Sequence, residues 1–431
     1  MGLNVDGTAT AVGYNCLGSQ TTGTNNVAMG NGAGSAVTSG STNTIIGQSA
    51  GDAITTGSNH VAVGHHALSS VTTAGSLTGI GTYAGQDNTS GSDNTYVGYS
   101  AGQNVTTGAN NVAIGSNALL GDATNNNTGN HNVAVGYQAL KATTTAQFNI
   151  GIGKDAGLAV TTGSGNTLIG YHAADVLTTG GANVALGRNA LGASETSSDN
   201  TGIGDHALVS VTTGGGNAAC GQAAGDAITS GATNSLLGQN AGGAITTGNS
   251  NVCLGNTAGS TLTTGTNNIM IGLTSKGSAV DNDHELVIGC NDLVGKGDNT
   301  GVIGPATGAM YQINNSASFS TTSDRRIKKN IVDNSIGLDA INQLQVRNFE
   351  YRTPDEITEL PKHAAINKEG IQLGVIAQEI QPVLPDVVKE ESTGCLTVDP
   401  DNMTWYLVNA VKELSTQVDE LRAEIKTLKG E

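Results

Sequence analysis

The chain has 431 residues, 63 of them glycine, with 3% aromatic and 12% charged residues, too few large side chains for a thick core but enough Ala, Val, Ile and Leu for a thin one. Its net charge is −17, and only Lys141, Lys154, Arg188, Lys276 and Lys296 of its 18 Lys and Arg precede Ser323, which argues against a nucleic-acid partner because phosphate neutralisation needs clustered cations. Five irregularly spaced cysteines, Cys16, Cys220, Cys253, Cys290 and Cys395, with no CxxC pair, argue against a disulfide framework or a zinc site.

The first residues hold no basic segment followed by an apolar run, and no stretch approaches the roughly 18 apolar residues of a membrane span. No membrane insertion is expected. A protein that ends up outside cells without such a signal must leave by another route, such as assembly into a virus particle. Residues 1–8 are a short lead-in.

From residue 9 to 304 the sequence is periodic. A glycine recurs every 17 residues from Gly13 to Gly115, once after 21 at Gly136, then every 17 to Gly289. So strict a period argues against low-complexity disorder. The four extra residues near Asp122–Asn130 are expected to form a surface loop. The unit core reads as in Asn111-Val112-Ala113-Ile114-Gly115. Residues one and three before the glycine are mostly β-branched or Leu, and the one between is often small, which is strand alternation with one face inward. The Thr-Thr-Gly runs, such as Thr55-Thr56-Gly57, predict a second short strand and its turn.

Four before the register glycine stands Asn26, Asn43, Asn94, Asn111, Asn132, Asn149, Asn166, Asn183, Asn200, Asn217, Asn234, Asn251 or Asn268, on 13 of 17 rungs. Stacked coils would set these amides above one another in a structural ladder, each donating to the next. Seventeen residues are too few for a helical hairpin and suit one β-solenoid coil. At about 4.8 Å per coil the array predicts a rod on the order of 77 Å long. So thin a rod is expected to be supported by copies of itself. His66, His172 and His206 share one register position. On a three-fold axis they could ring an ion, but their separated coils read more simply as surface. Thr columns resemble ice-binding solenoids, yet strand-forming Thr with turn Gly explains them.

The Asn-x-Val-Ala-x-Gly core is similar to the left-handed β-roll heads of trimeric autotransporter adhesins and to repeats of phage tail-fibre proteins. The period here exceeds the usual adhesin head repeat.

Residues 305–322 read as a linker. Beyond it Gly337–Leu344 predicts a helix, Val346–Arg352 a strand, and Gly370–Ile380 a strand running into a helix that Pro382 and Pro385 stop. Ser323-Asp324-x-Arg326-x-Lys328-x-Asn330-Ile331, then Phe349-x-Tyr351, then Gly374-Val375-Ile376-Ala377-Gln378-Glu379 resemble, in order, the peptidase S74 family. These are the intramolecular chaperone domains of phage tailspikes and endosialidases. The resemblance implies that three copies assemble, align three fibre chains and are released by self-cleavage between Thr322 and Ser323. It implies Ser323 as nucleophile and Lys328 as general base, an autoproteolytic act at most. A lysine serves as base only where burial or neighbouring cations lower its affinity for protons; Arg325, Arg326 and Lys329 are near in sequence. Spacing alone does not bring Lys328 to Ser323. The plainer reading is a turn cap beside a solvated basic run.

From Met403 to the end, Val411, Val418 and Ile425 fall at a positions and Leu407, Leu414, Leu421 and Leu428 at d, a coiled-coil seam. β-branched a with Leu d nominally suits two strands; the resemblance and the rod imply three.

The expected fold is therefore mainly β: a trimeric solenoid of 17-residue repeats (9–304), a linker (305–322), a small α+β chaperone domain (323–402) and a terminal coiled-coil helix (403–431). The expected function is a virion tail fibre for host attachment. Its partners would be two further copies, other tail proteins and a host surface receptor, glycans among the candidates. No cofactor and no metal are called for. The alternatives are a non-cleaving trimeric adhesin with a permanent trimerising tip, and a glycan-cleaving tailspike. The last lacks the paired carboxylates and aromatic platforms that glycosidases use.

Overall fold

A computed structural model describes residues 8–124, 127–306, 309–312, 323–360, 362, 366, 368–391 and 394–430. The chain divides into two compact units, Met1–Thr322 and Ser323–Glu431.

The first unit is a β-solenoid of about 17 turns. Among the described residues each coil contributes one three-residue strand, from β1 (Thr10–Val12) through β2 (Val27–Met29) to β17 (Leu286–Ile288). Successive strands pair in parallel, Thr10 with Val27 and Leu286 with Gly301 at the two ends. The last parallel strand, β18 (Gly301–Ile303), is covered by the antiparallel β19 (Met310–Gln312). That strand lies in the stretch read as a linker.

The strands place their small residue inward. From β2 to β17 the central residue is buried and its two neighbours are partly or fully exposed. Ala28, Ala62 and Ala113 therefore face the core, while Val27, Met29, Ile80 and Ile114 face out. The remaining walls are an Ala three after the register glycine (Ala33, Ala50, Ala67) and an apolar residue four further on (Val37, Ile54, Val71), all fully buried.

So narrow a core is filled by exchange of volume between walls. Where the strand residue is Gly79, Leu68 of the preceding coil fills the space, and a Cβ on Gly79 would stand 2.7 Å from Leu68 Cγ. Where the strand residue is Tyr96, the facing positions are Gly85 and Gly102, and a Cβ on Gly85 would meet Tyr96 Cε2 at 2.7 Å. The register glycine answers to a different demand. Gly64 has φ +136, and a Cβ there would lie 2.5 Å from the carbonyl oxygen of Gly81 on the next coil. Only glycine accepts both the angle and the approach.

All thirteen ladder asparagines are buried. The Asn43 backbone N–H donates to Asn26 Oδ1 at 3.0 Å, and its Nδ2 donates to the Gly57 carbonyl at 3.1 Å. From Asn132 onward most Nδ2 groups also donate to the Oδ1 one coil earlier, as Asn166 does to Asn149 at 3.0 Å. The chain of amides thus runs back toward the N-terminal coil, each group satisfying donors and acceptors that no water reaches. Glu285 closes the ladder: its N–H donates to Asn268 Oδ1, and its carboxylate accepts from the N–H of Ser278 and of Gly297.

The Thr-Thr-Gly runs form no second strand. The N–H groups of Thr21, Thr22 and Gly23 converge on the single carbonyl of Thr38, at 2.9, 3.2 and 3.2 Å. Three donors on one acceptor make a turn, whereas a strand ladder needs donors and acceptors alternating along the backbone. The Thr hydroxyls add a column of their own, as Thr38 Oγ1 donates to Thr55 O at 3.1 Å. In the 21-residue coil the insertion falls between Gly121 and Asn127, of which Asn125 and Asn126 lie outside the described residues.

The second unit is a small α+β domain. It contains α1 (Leu338–Gln343), the antiparallel pair β20 (Arg347–Phe349) and β21 (Gln372–Gly374), α2 (Ala377–Ile380), a second pair β22 (Val388–Glu390) and β23 (Leu396–Val398), and the long α3 (Pro400–Leu428). Asp399 caps α3 through the N–H groups of Asp401 and Asn402, and Pro400 suits its first turn. The helix thus begins three residues before Met403. Ala340, Ala377, Ile380, Leu384, Val387 and Tyr406 make the core. The loop before α1 is tied to α3 by Leu338 N–H to Glu413 Oε2 at 2.7 Å and Asn409 Nδ2 to the carbonyls of Asn334 and Ile336.

Candidate functional site

The boundary between the units falls after Thr322. Thr322 itself lies outside the described residues. Ser323 opens the second unit, and Asp324 caps a 3₁₀ turn, Arg325–Ile327, by accepting from the Arg326 N–H at 2.8 Å. The Arg326 guanidinium folds back on the same carboxylate, with Nε at 3.1 Å from both oxygens. That guanidinium first, and the Arg326 N–H second, hold the Asp324 carboxyl below the usual carboxylate range. Asp324 is thereby fixed as a turn-former.

The turn closes the gap that a spacing of five leaves open. Lys328 leaves it in extended conformation, and its Nζ donates to Ser323 Oγ at 2.7 Å. Both residues are exposed in the single chain. Of the three cations near Lys328 in sequence, Arg326 is committed to Asp324. The arrangement places an amine on a hydroxyl that immediately follows the Thr322–Ser323 bond. It can pass a proton between the two groups. A base role asks that water be excluded from the pair.

The terminal helix carries a second feature. Leu407, Val411, Leu414, Val418, Leu421, Ile425 and Leu428 are all exposed, Val411 by 66% and Leu428 by 80%. These apolar residues recur at heptad spacing along the helix. Among the described residues no helix is long and apolar enough to cross a membrane.

The three equivalent histidines have separate surroundings. His66 stacks on Tyr83, His172 Nδ1 lies 2.5 Å from Asp175 Oδ2, and His206 Nε2 lies 3.2 Å from Asn189 Nδ2. Among the described residues no three His, Cys, Asp or Glu gather as a metal site would require. Sequence reasoning missed His60 and Glu285, which occupy ladder positions, and the Asn88–Tyr96 pair. The signal for all three was present: each is a polar or bulky residue in a column otherwise held by another type.

No solved structure matches this chain. A family profile matches residues 323–389, beginning at the serine where the second unit begins. Residues 323–389 form a Peptidase_S74 domain, the family described as chaperone of endosialidase.

Proposed function

We propose that the chain is a homotrimeric phage tail fibre, whose C-terminal unit aligns three copies, chaperones their folding and then cuts itself free between Thr322 and Ser323. The observation that carries the reading is the coincidence at Ser323. The chaperone match and the second unit both start there, and the Lys328 amine reaches its hydroxyl. Two unpartnered apolar surfaces support assembly: the heptad seam of α3 and the outward residues of the solenoid strands, such as Val27, Met29 and Ile114.

In the proposed reaction Ser323 Oγ attacks the Thr322 carbonyl carbon as Lys328 takes the hydroxyl proton. The Thr322–Ser323 amide bond breaks, the Ser323 nitrogen gains a proton, and an ester joins Thr322 to the serine oxygen. Water then opens the ester, leaving a Thr322 carboxylate and a free Ser323 hydroxyl. The pair is exposed in one chain, so neighbouring copies would supply the water-excluding wall. Cleavage is then a consequence of assembly.

The test is the intact mass of denatured protein for wild type, Ser323→Ala and Lys328→Met. Two wild-type species, ending at Thr322 and starting at Ser323, with single full-length variants, would support self-release. If all three remain whole and native mass still gives three chains, the unit is a permanent trimerising tip.

A further inference from the structure

The two residues after each register glycine form neighbouring surface columns. Much of their length carries Asn, Gln, Ser or Thr, though Tyr14 stands alone and His65, His66, Tyr83 and Tyr99 form one cluster of rings. Between the coils of Gly136 and Gly204 the character changes: Tyr137, Lys154, Tyr171 and Arg188 succeed one another in the first column. Lys154 Nζ lies 5.9 Å from the ring centre of Tyr137 and 5.1 Å from that of Tyr171, and also pairs with Asp155. The ammonium lies over both rings and the His172 ring packs against Tyr171 at 4.1 Å between centres, which leaves each tyrosine about half exposed. Two coils apart, they stand about 10 Å from one another.

Beside Tyr171 opens a surface cleft of about 580 Å³, lined by His172, Asp175 and Asn189 with the apolar Ala193 and Val209. Its polar groups are already oriented. His172 Nδ1 meets Asp175 and Asn189 Nδ2 meets His206, while outside the cleft Arg188 donates to Asp205 at 2.8 Å. Groups fixed before a ligand arrives lose little entropy on binding it.

We propose that this strip binds a neutral saccharide side-on, a sugar ring lying on Tyr171 with its hydroxyls meeting Asp175, His172 and Asn189. The proposal deepens the fibre reading and rests on it. The apolar face of a sugar stacks on an aromatic plate, while its hydroxyls both donate and accept, which suits a carboxylate, an imidazole and an amide together. Lys154 and Arg188 are each neutralised by an aspartate, so no uncompensated positive charge remains for an anionic glycan. For self-assembly the strand stripe offers the more apolar face, its outward Val, Ile, Met and Leu interrupted by Thr.

The test titrates the full chain by calorimetry with neutral hexasaccharides of glucose, mannose, galactose and N-acetylglucosamine, and with sialyllactose and oligogalacturonate as anionic probes. The expected result is binding of at least one neutral probe, weakened roughly tenfold by Tyr171→Ala, the order of magnitude carried by one aromatic contact. Asp175→Asn should weaken it also. Tyr14→Ala, in the same column outside the strip, should leave it unchanged. Absence of neutral binding, binding of anionic probes only, or affinity indifferent to Tyr171→Ala would overturn the proposal. Native mass of the same samples separates the two readings. An intact trimer that binds no neutral probe overturns the strip alone, and a wild-type monomer overturns the fibre on which it rests.

Discussion

His60 Nδ1 accepts a hydrogen bond from the Leu77 N–H at 3.2 Å, doing for one coil what an asparagine Oδ1 does for its neighbours. The His60 N–H in turn donates to Asn43 Oδ1 at 2.9 Å, so the ladder passes through an imidazole. The acceptor role requires Nδ1 to be without a proton.

A pH dependence follows. Burial first, opposed by the Ala74 carbonyl, pushes the His60 pKa below its ordinary value of 6.5. The unfolded chain then binds the proton more readily than the folded one, so stability rises with pH. The contribution is complete above about 6.5 and is lost as pH falls below it. Thermal melting from pH 8 to pH 5 should show wild type losing more midpoint than His60→Asn, whose amide keeps the ladder at every pH. Parallel curves for the two proteins would refute the role given to His60.

Tyr96 is fully buried, and its hydroxyl accepts from Asn88 Nδ2 at 3.2 Å. Asn88 stands where other coils have Val37 or Ile54. Tyr96→Phe should cost about 1–3 kcal/mol, because it strands a buried amide. The double variant Tyr96→Phe, Asn88→Val should recover most of that loss. Guanidinium unfolding measures both. A Tyr96→Phe change of less than a few tenths would mean that the pair contributes nothing.

The α3 seam should nucleate assembly. Each buried Leu or Val contributes about 1.5–3 kcal/mol, and an aspartate in its place adds a desolvation cost. Leu414→Asp with Val418→Asp should lower the yield of trimer after refolding at least tenfold, and cleavage with it. Native mass and denatured intact mass read the two quantities. Normal trimer yield in the variant would transfer the nucleating role to the solenoid.

Much of this architecture was legible in residue order. The 17-residue spacing, the strand just before each register glycine and the repeated asparagine needed no coordinates, because a stacked coil imposes one chemical environment at each phase of the repeat. The long terminal helix was legible too, from apolar residues recurring at heptad spacing. His60 and Glu285 were overlooked because a departure from a column looks like noise until its hydrogen bonds are visible.

What the sequence determined by itself was the repeat and hence the rod: alternation with period two makes a strand, and a constant interval brings each strand beside the last. What the tertiary structure decided was direction and proximity. Alternation does not say which face turns inward. The narrow coil does, since Leu68 can enter only where Gly79 leaves room, and Tyr96 only opposite Gly85 and Gly102. It made a turn of the Thr-Thr-Gly runs, in several of which, as at Thr21–Gly23, three N–H groups share one carbonyl of the next coil. It brought Lys328 to Ser323 because Asp324 holds a 3₁₀ turn between them, a contact set by backbone angles that spacing alone does not specify.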